Sequence, residues 1–209
     1  MDIYTSFEER KPSPLLTDVD KYWVVDAGYK NDFTLKNWGY HRYCEVVDAL
    51  KDTVKFVQIG EANKDHIHKP VPGAVNLIGR TDIRQLIQII YNSRGVLTPV
   101  SFPMHLAAAL PTQDSRLRPC IVIAGGREPV TWEQYPGHQF LHTVGMLHCC
   151  CRGGCWKSRG KRLGDGTPSD FSICAYPVME EDDAIGKCMT MIEPEHVIKL
   201  IKMYEENKR

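Results

Sequence analysis

Five short apolar runs, most of them closed by glycine and set apart by stretches of helical periodicity, constrain this chain more than any other feature. They are YWVVDAG (Tyr22 to Gly28), VKFVQIG (Val54 to Gly60), VNLIG (Val75 to Gly79), VLTPV (Val96 to Val100) and CIVIAGG (Cys120 to Gly126). Runs of this length and β-branched content read as strands buried on both faces. Between the first two, Tyr43, Val46, Val47 and Leu50 recur at three- and four-residue spacing, which predicts an amphipathic helix from Gly39. A second helix is expected from Thr81 as N-cap through Ile83, Leu86, Ile87 and Ile90 to Gly95 as its stop. A third runs from Pro103 to Leu110, with proline at its start. Strands alternating with helices favour right-handed crossovers, so the expected fold class is α/β, a Rossmann-like doubly wound parallel sheet.

The alternation stops after Gly145. Cysteines, glycines and basic residues follow to about Asp183, and then a last helix carries Val197, Ile198, Leu200, Ile201 and Tyr204 on one side. Residues 1–20, with Pro12 and Pro14, show no periodicity. The expected organisation is a tail or linker remnant at 1–20, a Rossmann-like domain at 21–145, and a cysteine-rich appendage with the C-terminal helix at 146–209. At 209 residues, one domain with an appendage fits better than two full domains.

Lys plus Arg equals Asp plus Glu at 26 each, so no net field draws the chain to nucleic acid or an anionic membrane surface. The first residues, MDIYTSFEERKPSPLL, lack the basic start and apolar run of a signal peptide, and no apolar stretch approaches the roughly 20 residues of a membrane span. A soluble cytoplasmic protein is the expectation.

The segment LKNWGYHRYCEVVDAL with the strand FVQIG, then GRTDIRQLIQII and SFPMHLAAAL, resembles the C-terminal, donor-binding domain of family nine glycosyltransferases, the ADP-heptose:lipopolysaccharide heptosyltransferases of the GT-B class. The resemblance covers roughly residues 22–145 and lies in the order and spacing of short motifs. It implies that Lys36 approaches the donor's diphosphate and that Trp38 braces its loop. Gly60 and Glu61 would lie near the donor nucleoside. The loop Pro99 to Met104, with Ser101, Met104 and His105 entering a helix, would lie under the phosphates, where a helix N-terminus suits negative charge. Where the family carries Asp-Ser/Thr-Gly, Val100-Ser101-Phe102 stands here, and Phe102 in place of glycine crowds a phosphate.

Other residues leave two readings open. His105 is either a phosphate donor or a core histidine. Arg127 and Glu128 follow a strand end, where ligands sit in open α/β sheets, and are either donor contacts or part of a surface loop anchored by Trp132. His66 and His68 fall in a polar loop and read as solvated.

Six of the eight cysteines lie between Cys149 and Cys188, a local cluster that marks a site. Four thiolates from separated pieces of chain can close a tetrahedral zinc or iron site, and Cys151 (or Cys150), Cys155, Cys174 and Cys188 are the expected ligands. Gly153 and Gly154 allow the bend that turns two thiolates toward one ion. Relatives in the family that glycosylate autotransporters are similar in holding iron with cysteines before the last helix. With four protein ligands the ion would be structural.

The family's acceptor-binding half, which supplies the catalytic carboxylate, has no counterpart in these residues. The resemblance therefore implies a protein that binds a nucleoside-diphosphate sugar, ADP-linked, for glycosyl transfer with an acceptor domain from a partner chain or a homo-oligomer. A non-catalytic nucleotide-sugar binding module, or a structural subunit, is the alternative.

Overall fold

The computed structural model describes residues 3–30, 34–112, 117–162, 172–180 and 183–207. Its centre is a six-stranded sheet made of β1 (Tyr22–Asp26), β3 (Lys55–Ile59), β5 (Ala74–Asn76), β6 (Gly95–Pro99), β7 (Cys120–Gly125) and β8 (His138–His142), in the order β5-β3-β1-β6-β7-β8. Every pairing in it is parallel. From β1 the chain steps outward to β3 and β5, then returns to the other side of β1 for β6, β7 and β8. The direction of winding therefore reverses between β1 and β6, and the crevice beyond those two strand ends is where an open α/β sheet places its ligand.

Helices cover both faces. α1 (Tyr40–Leu50), α5 (Lys187–Thr190) and α6 (Pro194–Glu206) enclose one core around Trp23, Trp38, Tyr43 and Phe56. α2 (Ile83–Asn92) and α3 (Phe102–Ala109) enclose the other around Val24, Ile59, Ile90 and Met104. α4 (Val130–Glu133) is a single turn between β7 and β8. The inner strands β1, β3, β6 and β7 are buried on both faces because each is covered twice, which is why they read as unbroken apolar runs, while the edge strands β5 and β8 are more exposed.

Residues 3–19 pack against the second face. Glu9 pairs with Arg84 of α2, Asn92 donates to the Lys11 carbonyl (2.9 Å), and the Ile3 amide donates to the Ala109 carbonyl (3.2 Å). α6 is tied to the sheet by Glu205, which accepts from Trp23 Nε1 (2.9 Å) and pairs with Arg94 (3.1 Å).

Several local expectations are corrected. The α2 N-cap is Asp82, not Thr81: its carboxylate accepts from the Gln85 amide (2.8 Å) while the Gln85 side chain accepts from the Asp82 amide (2.9 Å), a reciprocal capping box. Ser93 ends the helix, and Gly95 opens β6 instead of stopping α2. β8, HQFLH, had no run of β-branched residues to announce it. Two small two-stranded sheets also escape periodicity: β2 (Tyr29–Lys30) pairs with β4 (His66–Ile67), and β9 (Pro177–Glu180) with β10 (Asp183–Gly186), both antiparallel. Among the described residues no helix is long and apolar enough to cross a membrane.

Candidate functional site

A cleft of 960 Å³ opens at the C-terminal ends of β1, β3 and β6, at the point where the winding reverses. Asp26, Gly28, Lys36, Gly60, His68 and Ser101 are among the residues that line it. A strand that runs to its last buried residue and then turns at a small one leaves backbone, not side chain, at the crevice, which is the structural meaning of the glycine-ended runs.

The floor carries a buried carboxylate. Asp26, at the end of β1, accepts from the Ser101 hydroxyl (2.8 Å), more distantly from the Thr98 hydroxyl (3.4 Å), and from the Gly28 amide (3.3 Å). Burial pushes its pKa up, while these donors and His68 pull the other way. Above it, the pairing of β4 with β2 folds residues 61–68 back over the strand ends, with Lys30 opposite His66. The following residues are anchored by Gln58, which donates to the Lys69 carbonyl (2.9 Å) and accepts from the Val71 amide (2.7 Å).

His68, expected to be a solvated loop residue, instead has a side chain 6% exposed and inserted against Gly28 and Gly60. A Cβ on Gly28 would lie 1.9 Å from the ring, and one on Gly60 2.3 Å from it, so both positions must lack a side chain for the imidazole to sit there. His66, nearer the mouth, approaches Glu61 at 3.1 Å.

The expected donor-binding residues divide. Lys36, Gly60, Glu61 and Ser101 line the cleft. Lys36 ends a single 3₁₀ turn, Thr34–Lys36, and its amine lies 3.6 Å from Glu128, with burial pulling its pKa down. Glu128 in turn is buried against Arg127, whose Nε donates to the Lys157 carbonyl (2.9 Å), so Arg127 holds the cysteine-rich loop beside Lys36 and does not line the cleft. Trp38 is fully buried, donates to the Ile192 carbonyl (2.8 Å) and meets Tyr43 edge-on, which fixes the exit of the Lys36 loop.

Met104 is buried in the second core and His105 bonds Tyr135 Oη (2.9 Å); neither reaches the cleft. The reason is helical: His105 lies two residues beyond Pro103, about 200° further round α3, so when Phe102 and Pro103 face the cleft it turns away. Ser101 is the N-cap of α3 but makes no capping bond, its hydroxyl being engaged with Asp26; Pro103 has no N–H and the Met104 amide donates to the Ser101 carbonyl (3.1 Å), so the Phe102 amide is the one left without a side-chain acceptor at the start of that helix. Phe102 is half exposed at the rim.

The cysteine-rich segment lies at the end of β7. Its loop runs alongside the strand end in the same direction, with the Cys155 amide on the Gly126 carbonyl (3.2 Å) and the Trp156 amide on the Arg127 carbonyl (3.0 Å). Gly154 sits at φ +139°, and a Cβ there would strike the Arg127 carbonyl oxygen at 2.7 Å. Cys174 and Cys188 face one glycine: a Cβ on Gly186 would lie 3.8 Å and 3.2 Å from their sulfurs. Burial pushes the Cys188 and Cys149 thiols up to about 11, and Cys155 and Cys174 act on both in the same direction, so Cys149, Cys155, Cys174 and Cys188 share one neighbourhood. Cys151 is exposed and outside that group, while Cys150 is buried and donates weakly to the Leu147 carbonyl (3.3 Å). All eight cysteines are free, and among the described residues no group of three or more His, Cys, Asp or Glu side chains is already arranged around an ion position.

Comparison with known proteins follows these features. The chain is similar in fold to the ADP-heptose LPS heptosyltransferase II of E. coli, with TM-score 0.62 and 16% identity over 99% of this chain and 54% of that one. It is similar to a glycosyl transferase family 9 protein of Veillonella parvula DSM 2008, with TM-score 0.55 and 19% identity over 90% of this chain and 47% of that one. The third is the dodecameric iron-containing glycosyltransferase TibC of enterotoxigenic E. coli H10407, with TM-score 0.57 and 16% identity over 91% of this chain and 46% of that one. TibC is also solved in complex with ADP-D-beta-D-heptose, at TM-score 0.56. This chain spans about half the length of the solved structures it matches. No curated protein matches the sequence. The model of glycosyltransferase family 9 (heptosyltransferase) matches residues 10–133, which run from the packed N-terminal segment through every strand that borders the cleft, and the chain accordingly belongs to glycosyltransferase family 9.

Proposed function

We propose that the chain binds a nucleoside-diphosphate sugar, ADP-linked, in the cleft beyond β1, β3 and β6, with the diphosphate between Lys36 and the N-terminus of α3. The observation that carries this reading is the placement of a half-buried lysine and an uncapped helix N-terminus at the reversal point of the sheet. The complex of TibC with ADP-D-beta-D-heptose supports the same ligand class. Gly60 and Glu61 border the nucleoside, and Phe102 at the rim sets how deeply the phosphates enter.

Glycosyl transfer is the activity, completed by an acceptor-binding part in a partner chain or a second copy. Lys36 stabilises the departing diphosphate, and the base that deprotonates the acceptor comes from that part. All eight thiols being free suits the reducing cytoplasm.

We also propose a structural metal held by the thiols. Cys155, Cys174 and Cys188 remain the ligands expected from sequence, and the neighbourhood they share with Cys149 makes Cys149 the fourth in place of Cys151 or Cys150. A bound zinc or iron ion would fasten Cys149, Cys155 and Cys174 to Cys188 beside the end of β7.

Calorimetry with ADP-, UDP- and GDP-sugars tests the ligand. ADP-sugars bind, UDP- and GDP-sugars bind more weakly, and absence of binding by all three overturns the reading. Elemental analysis of the purified protein gives about one zinc or iron per chain, unchanged in Cys151→Ser and lost in Cys149→Ser.

A further inference from the structure

We propose that Asp26 and His68 form a dyad at the floor of the cleft, in which Asp26 positions the imidazole through Nδ1 and leaves Nε2 as the acceptor for a ligand hydroxyl. The inference deepens the nucleotide-sugar reading and takes its ligand class from it.

Three observations carry it. First, the ring is placed by the backbone: it rests on Gly28 and Gly60, just beyond the antiparallel pairing of β4 with β2. Second, the two oxygens of Asp26 differ. Oδ2 is engaged by Ser101, with Thr98 further off, whereas Oδ1 has only a long bond from the Gly28 amide and faces His68 Nδ1 at 3.9 Å. Third, Nδ1 is sealed from solvent and has no hydrogen-bond partner among the described residues. A buried ring nitrogen beside a buried carboxylate oxygen closes a gap of roughly 1 Å to make one charge-assisted bond.

Once Nδ1–H is committed to Asp26, the neutral ring has its lone pair on Nε2. His68 belongs to the cleft wall, so that lone pair is available to a ligand. The charged groups facing the ring are Asp26 from β1, Glu61 beyond β3 and His66 from β4, with Lys30 and Lys36 lining the same cleft. An acceptor nitrogen backed by a buried carboxylate repels phosphate oxygens and takes an O–H. The diphosphate is thereby directed toward Lys36 and α3, and a hydroxyl of the ribose or of the transferred sugar is directed to His68. The sequence carried the signal for Asp26, an acid ending an otherwise apolar strand, but none that brought His68 to it.

The test is ¹⁵N NMR of the full chain labelled at histidine. Above the His68 titration, the wild type shows the Nδ1–H tautomer, the reverse of the form favoured by free histidine. Asp26→Asn reverts it to Nε2–H. If that variant does not fold, Ser101→Ala serves instead: it removes a competing donor from Asp26, keeps the Nδ1–H tautomer and raises the His68 pKa. Nε2–H in the wild type, or the same tautomer and pKa in wild type and variants, overturns the dyad. Adding ADP-glucose moves the Nε2 resonance; the same movement with ADP assigns the hydroxyl to ribose, and movement with ADP-glucose alone assigns it to the transferred sugar. A bound ADP-glucose that leaves Nε2 unmoved overturns the hydroxyl assignment. No binding of ADP-glucose at all defeats the nucleotide-sugar reading instead, and the dyad is then judged on its tautomer.

Discussion

The cleft and the cysteine-rich segment occupy neighbouring stretches of the same sheet edge, yet they are built in opposite ways. In the cleft, position is set by backbone: β1, β3 and β6 end side by side because a doubly wound sheet puts them there, and Gly28 and Gly60 keep the edge open for His68. In the cysteine-rich segment, position is set by a few contacts between distant pieces of chain, such as Cys155 on Gly126, Trp156 on Arg127 and Arg42 on Glu180. The first kind of site survives wherever the sheet forms. The second depends on pairings that the sheet does not enforce, and a metal would complete it.

Substitutions can break that contrast, beginning with the residue both regions share. Trp38 connects the Lys36 loop to the Ile192 carbonyl ahead of α6, so Trp38→Ala removes a fully buried indole and its hydrogen bond at once. The expected loss is about 3–5 kcal/mol in a denaturation experiment. A change under 1 kcal/mol would mean the two regions are not coupled through it.

Lys36→Ala separates binding from folding. It removes a charged donor from the cleft and weakens ADP-sugar binding by about 1.5–3 kcal/mol, roughly tenfold to a hundredfold, with the melting temperature held. Equal affinity in variant and wild type would move the diphosphate elsewhere.

Arg42→Ala addresses the other region. Arg42 makes a two-pronged pair with Glu180 (2.7 and 2.8 Å), tying α1 to the β9–β10 hairpin in a half-buried setting. The loss is about 1–3 kcal/mol, between the exposed and buried limits for ion pairs. The hydrogen bond from Arg42 holds the Glu180 carboxyl below its ordinary value. Its contribution is therefore complete above the ordinary carboxylate pKa and is lost as pH falls through the lowered one. Stability curves of wild type and Arg42→Ala should converge in that acid window; parallel curves would show the pair is not the source.

Asp82→Ala is the smallest test. It removes the capping box of α2 and costs about 1 kcal/mol, leaving the cysteine segment untouched.

The same contrast explains what could be read from the chain. Glycine-ended apolar runs specify strands and strands specify a reversal point; the family resemblance supplied Lys36, Gly60, Glu61 and Ser101, and these line one cleft there. His105, Met104 and Arg127 did not follow, because a loop resemblance says which segment is near a ligand but not which side of a helix faces it. His68 was invisible for another reason: its burial depends on a long-range pairing of two-residue strands, β2 and β4, too short to leave a period. Among the cysteines, spacing shows that a cluster exists. Which thiols meet is decided by a 3₁₀ turn at His148–Cys150 and by the Gly153–Gly154 bend, which leave Cys149 beside Cys155 and Cys151 outside.

The central claim is that a diphosphate lies at the reversal point of the sheet. A crystal structure with ADP bound measures it directly: the account predicts phosphate oxygens within hydrogen-bond distance of Lys36 Nζ and of the Phe102 amide that opens α3. ADP seated on another surface, or a cleft left vacant at saturating ADP, would contradict it.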